Sequence, residues 1–133
     1  LDRLQRPSTE VIQGQLITAL GRIGDARAES PLLALLTTNP NPYLRQRLTQ
    51  ALGGFVSEPS IQALTTLCND QDKRVRAHAA HALGVCGDPD VIPTLAQLLD
   101  DADREVRKAA VLALTQFDDD AILDLMLRME REK

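Results

Sequence analysis

The sequence predicts an all-α fold, a right-handed α-solenoid of about four stacked helix pairs forming a single domain over residues 1–133. Three observations carry that expectation. The triplet Ala19-Leu20-Gly21 returns as Ala51-Leu52-Gly53, Ala82-Leu83-Gly84 and Ala113-Leu114-Thr115, at intervals of 31 or 32 residues. A fixed period of this size marks supersecondary units that stack on one another. The flanks return with the triplet: Ile12, Leu44, Val75 and Val106 stand eight residues before its Leu, followed by Gln13, Arg45, Arg76 and Arg107, and Leu36, Cys68 and Leu99 stand sixteen after it. Finally, apolar residues recur at helical spacing and no segment sustains the alternation of a strand.

Taken in chain order, Leu1 and Leu4 precede Ile12 by eleven and eight residues, as Leu33 and Leu36 precede Leu44, so residues 1–7 read as the tail of an earlier repeat and the chain as a piece of a longer repeat protein. The repeats then run approximately over 8–39, 40–70, 71–101 and 102–130. The one-residue insertion falls in Thr38-Asn39-Pro40-Asn41-Pro42, where a loop absorbs it. Asn41-Pro42 starts the first helix of copy two, Gly53-Gly54 ends it with a residue tolerant of positive φ, and Ser57-Glu58-Pro59 starts the second helix. In copy three, Asp72 starts a helix whose Val75, Ala79, Ala82 and Leu83 share one stripe, and Gly84 ends it. Asp88-Pro89 then opens a second helix carrying Val91, Ile92, Leu95, Leu98 and Leu99. Asp103 starts copy four, Asp118-Asp119-Asp120 caps the last helix and complements its positive end, and the charged run from Arg128 to Lys133 reads as a natural terminus or a solvated cap.

The alanines dictate close packing. Ala79, Ala80 and Ala82, matched by Ala109, Ala110 and Ala113, let neighbouring helices approach while Leu and Val fill between them. With two Phe, one Tyr and no Trp, the core is thin and aliphatic, and only a stack of several units buries enough surface to be stable.

The run Val75-Arg76-Ala77-His78-Ala79-Ala80-His81-Ala82-Leu83-Gly84 resembles the short HEAT-like repeat of the phycobilisome-lyase type. The stretch from Leu98 to Arg107 resembles that family's inter-repeat link, and Gly24-Asp25 and Gly87-Asp88 its turn within a repeat. The likeness extends from about Ser8 to about Met129, with Gln13 and Thr115 departing from the pattern in copies one and four. It implies stacked HEAT-like helix pairs. For function it implies either a protein interaction module or a part of a bilin lyase or chaperone-like factor acting on phycobiliproteins.

Composition narrows the setting. No apolar run of about eighteen residues and no signal-peptide pattern is present, so a cytoplasmic protein without a membrane span is expected. Two cysteines make no disulfide framework; Cys68 and Cys86 fall where other copies hold Leu, Ile or Phe and read as core thiols. His78 and His81, three apart on one helix, offer half a metal site at most, and their equivalents Arg47, Gln50, Ala109 and Leu112 mark variable outer or edge positions. A site needs three or four ligands, so no metal, cofactor or catalytic residue is assigned. No phosphate loop, nucleophile elbow or CxxC is present.

Arg45, Arg76 and Arg107 form the ordered charged series, one per repeat beside the loop acids Asp70, Asp72, Asp101 and Asp103. They read as a structural ladder, since a guanidinium presents five fixed donors to carboxylates and loop carbonyls; an anion track is the alternative. Fifteen basic against nineteen acidic residues disfavour nucleic acid, although Lys73-Arg74-Arg76 and Arg104-Arg107-Lys108 form local basic patches. The second helices are expected to line the concave side. Their non-core residues Ala34, Thr37, Thr65, Thr66, Thr94, Gln97, Leu125 and Arg128 make a neutral, small-sided strip suited to a protein partner. The sequence thus reads as a non-catalytic protein-protein interaction module or scaffold whose partner it does not name, with a bilin lyase subunit and a nucleic-acid-binding HEAT-like domain as the other readings. It fixes no oligomeric state.

Overall fold

The computed structural model describes residues 9–38 and 40–131; Leu1, Leu4 and Asn39 lie outside them, as does the side chain of Met129. Eight α-helices follow one another among the described residues: α1 (Thr9–Ile23), α2 (Ala26–Leu36), α3 (Pro42–Leu52), α4 (Glu58–Leu67), α5 (Lys73–Cys86), α6 (Ile92–Leu98), α7 (Arg104–Leu114) and α8 (Asp119–Arg131), with a 3₁₀ turn at Pro89–Val91 leading into α6. No strand occurs among the described residues. The odd-numbered helices are the first helices of successive repeats and the even-numbered ones the second.

Side-chain caps set the helix starts. Asp25 accepts from the backbone N–H of Arg27, Asn41 from Leu44, Ser57 from Ser60, Asp72 from Arg74 and Val75, Asp103 from Glu105 and Val106, and Asp118 from Ala121. Each cap satisfies a donor that the first turn leaves without a partner, and is worth about 1 kcal/mol.

The helix ends differ from the sequence expectation. Gly84 does not end α5, which continues to Cys86 and stops at Gly87 with φ 73°. Gly53 caps α3 at φ −61°, an ordinary right-handed value. The glycines of the repeated triplet serve helix packing instead. A Cβ on Gly84 would stand 2.8 Å from Ala113 Cα, one on Gly21 2.7 Å from Ala51 Cα, and one on Gly53 3.0 Å from Ala82 Cβ. The Ala of each triplet therefore lies against the Gly of the triplet before it. The left-handed stop is at Gly24 and Gly87, which lets α1 and α5 run longer than α3 and α7. In copies two and four that position holds Val56 and Asp118, which lack glycine's freedom at positive φ.

This packing arranges two layers. First helices make their closest approaches to one another, α5 with α7 most extensively, then α1 with α3 and α3 with α5. Second helices barely meet each other. Each lies mainly on the first helix of the following repeat, α2 on α3, α4 on α5 and α6 on α7. The layer with the smaller spacing is the inner side of a curved stack, so the first helices, not the second as expected from sequence, line the inner side. The core between the layers is aliphatic, with Leu32, Leu48, Leu52, Leu64, Val75, Leu83, Leu95 and Val106 fully buried.

The same arrangement explains an exception at α1. Ile12, Leu16 and Leu20 are 43, 59 and 36% exposed, whereas their counterparts Val75, Ala79 and Leu83 are each 0%. A first helix is covered by the second helix of the repeat before it, and α1 has no such cover among the described residues. Below this stripe, a hollow of about 320 Å³ lies between α1, α2 and α3, lined by Leu16, Leu20, Leu35 and Leu44.

Candidate functional site

The ladder arginines sit on the first helices one turn from their capped starts, and Arg45 and Arg76 each join two loops. Arg45 Nε and Nη2 donate to the Asp70 carboxylate at 2.8 and 3.1 Å, while its Nη1 donates to the Pro40 carbonyl at 2.7 Å. Arg76 repeats the pattern one unit on, with Nε and Nη2 at 2.9 and 3.1 Å from Asp101 and Nη1 2.8 Å from the Asp70 carbonyl. Arg107 Nη1 donates to the Asp101 carbonyl at 2.6 Å. Asp70 and Asp101 also accept from the backbone N–H of Asp72 and Asp103, so each acid folds its own loop and anchors an arginine. Burial pushes the Asp101 carboxyl up, but the Arg76 hydrogen bonds, the Asp103 N–H and the charges of Arg76 and Arg107 outweigh it and hold the group below the ordinary carboxylate value. Bidentate pairs of this kind leave the guanidinium little capacity for an outside anion.

The second-helix strip is present but divided. Thr65, Thr66 and Thr94 line a hollow of about 660 Å³ with Val56, Glu58, Asp88 and Asp90. Thr37 lies in an adjoining hollow between α2 and α4 that Thr66 also lines, and Leu125 and Arg128 in a small one of about 260 Å³ between α6 and α8. Ala34 and Gln97 are exposed. The hydroxyls of Thr37, Thr65 and Thr66 donate to the carbonyls of Ala34, Ile61 and Gln62 on their own chain segment. Leu125 packs against the core, and Arg128 pairs with Asp124. The acids beside the threonines make this face more negative than the strip alone suggests.

The larger surface feature lies on the opposite, inner side. A groove of about 690 Å³ crosses α3, α5 and α7, with Ala77, Ala82, Val85, Ala109 and Leu112 as its apolar lining and Gln50, His78, His81, Glu105 and Lys108 as its polar one. Val85 and Leu112 are 62 and 56% exposed. The positions that line it are the ones the repeat leaves free, since the Ala and Gly residues beside them bring the helices together and set a shallow floor. His78 is held by α3, its Nε2 2.9 Å from Gln46 Nε2 and its Nδ1 3.3 Å from Gln50 Nε2. Burial, then the proximity of His81 and Arg47, pushes the His78 imidazolium toward deprotonation, below the ordinary histidine value. Arg47 stacks over the Tyr43 ring at 5.3 Å.

Charge is partitioned between the layers. The first helices carry nine Lys and Arg against two Glu, whereas the second helices, with the 3₁₀ turn of α6, carry seven Asp and Glu against three Arg. The sequence reading took His78 and His81 as outer positions and missed the groove. The signal was there in the residues between the repeat's fixed ones, at 46, 47 and 50, 77, 78 and 81, and 108, 109 and 112, which differ from copy to copy.

Of the thiols, Cys68 is buried and its pKa is pushed up to about 12 by burial, so it holds no thiolate at neutral pH. Cys86 is only half-buried, its Sγ donating to the Leu83 carbonyl. Among the described residues no three His, Cys, Asp or Glu side chains converge in a metal-holding group, and no helix is long and apolar enough to cross a membrane.

Comparison with known families agrees with this architecture: a family model described as HEAT repeats matches residues 1–84 and again 61–132. No curated protein matches the chain.

Proposed function

The chain belongs to the HEAT-repeat family, and from that premise we propose that it is a protein-binding scaffold with no catalytic activity of its own, its partner seated across α3, α5 and α7. The observation that supports this most is the inner groove, where an apolar floor with exposed Val85 and Leu112 is rimmed by polar side chains. An apolar centre inside a polar rim is the make-up of a protein interface. The stack presents it on helices locked by the arginine ladder, so little ordering remains to be done on binding.

The test is site-directed photo-crosslinking. A photoreactive residue in place of Leu112 should trap a protein from native extract, and one in place of Thr66, on the second-helix strip, should trap none. Trapping from Thr66 alone would move the partner to the outer face. The bilin lyase reading rests on the likeness of the repeat sequence to the phycobilisome-lyase type. A change in the absorbance of a linear tetrapyrrole on mixing with the chain and an apo-phycobiliprotein would favour it over a plain scaffold.

A further inference from the structure

We propose that the inner groove takes an acidic amphipathic segment of a partner protein, its apolar side on Val85 and Leu112 and its carboxylates toward Lys108 and Arg47. The proposal rests on the protein-binding reading above and adds the chemistry of the partner. It stands on charge complementarity. The chain as a whole carries a net charge of −4, yet Lys108 in the groove's lining and Arg47 beside it stand against one carboxylate, Glu105. Arg47 stands next to it, near enough to His78 to disfavour its protonation.

Most of the other basic residues of the first helices are engaged among the described residues, and Arg22 and Arg104, which are not, do not line the groove. Arg45 and Arg76 are paired in the ladder, and Lys73 and Arg74 face Asp103 and Asp72. Lys108 appears in no ion pair among the described residues and is exposed. An acidic partner approaching this molecule is repelled by the second-helix layer, with its seven acids against three Arg, and meets a favourable potential only at the inner layer. Electrostatics therefore chooses the face, and the apolar floor supplies the burial. A nucleic acid is a poorer fit. Arg45 and Arg76 are occupied by carboxylates, and no aromatic side chain lines the groove to stack a base.

The test selects helical peptides displayed on phage, with polar positions randomised among Asp, Glu, Lys, Arg and Ser, on the immobilised chain. Affinities of the selected peptides are then read by fluorescence anisotropy. Selected sequences should be enriched in Asp and Glu beside aliphatic residues. Lys108→Glu should weaken them about tenfold, with the loss growing at low salt, and changing a peptide Glu to Lys should restore binding to that variant. Thr66→Glu, on the outer face, should leave affinity unchanged. Lys108 is exposed and its replacement leaves the fold intact, which circular dichroism checks; Val85→Gln, which should also weaken binding, gives a second, charge-independent readout of the same floor. Peptides that bind without acidic enrichment, or that bind the Lys108→Glu and Arg47→Glu variants as well as the parent, would overturn the proposal while leaving the scaffold reading in place. Retention of duplex DNA or RNA in preference to every peptide would overturn both.

Discussion

Replacing Gly84 by Ala tests the packing that builds the solenoid, because two effects of opposite sign compete at one atom. On an open helix face, Ala is preferred over Gly by about 1 kcal/mol. Here the new Cβ would lie 2.8 Å from both Cα and Cβ of Ala113 and 3.2 Å from its carbonyl oxygen. Two of these are backbone atoms that no rotamer change can withdraw, so α5 and α7 must separate along their most extensive contact. Overpacking of this kind costs about 1–3 kcal/mol. Subtracting the helix preference leaves a net destabilisation of about 1 kcal/mol, reaching about 2. Urea unfolding followed by far-ultraviolet circular dichroism should therefore show a lower midpoint with an unchanged slope. Gly53→Ala should cost less, because the nearest atom is a side-chain Cβ at 3.0 Å. Ala113→Gly in the Gly84→Ala background should recover part of the loss, since it removes one of the two closest atoms, and the two changes should couple. A midpoint that rises on Gly84→Ala, as it would at a solvent-facing glycine, would refute the close-approach account.

Two other consequences follow from the charged groups. Arg76→Gln removes both donors to Asp101, and the pair's side chains are only 18 and 11% exposed; the cost should fall between that of a surface pair and that of a buried one, about 2 kcal/mol. Because the Asp101 carboxyl is held below its ordinary value in the folded chain, its stabilising contribution is complete above the unfolded value near pH 4 and is lost as pH falls through the folded one. Unfolding midpoints measured downward from about pH 4 should therefore fall less steeply for the Arg76→Gln variant than for the parent, and equal slopes would contradict the pairing. For His78 the sign is the same and the window lies higher: its folded value is lowered by burial, His81 and Arg47, so stability is lost as pH falls from the unfolded value near 6.5. The imidazole resonance should titrate below that value, and Arg47→Gln should raise the midpoint. A midpoint at or above about 6.5 in the parent would mean that the ring is solvated and free of α3.

How much of this was legible depended on whether a residue's role was local or shared between repeats. Asp72, Asp103 and Asn41 announced helix starts because a cap involves a side chain and a backbone N–H only two or three residues away. Gly84 was misread for the opposite reason: it looked like a helix end from its neighbours in sequence, but its role is set by Ala113, 29 residues further on. Gly53 does end its helix, though at negative φ, and it too is packed against an alanine 29 residues on, Ala82. The stops at Gly24 and Gly87 were legible only as turns, since sequence does not say which of two glycines three residues apart takes the positive φ.

The candidate surface shows the same division. The variable positions around His78 and His81 stood in the sequence, yet which layer they face follows from the spacing of α3, α5 and α7. The sequence by itself determined the helical repeat, the number of units, the capped starts and the identity of the ladder residues, because these depend on periodicity and short-range bonding. The tertiary structure alone decided which layer is inner and where the groove runs. Those properties arise from the difference in spacing between Gly-Ala contacts on one side of the stack and Leu-rich contacts on the other, a difference that exists only when consecutive repeats are in contact.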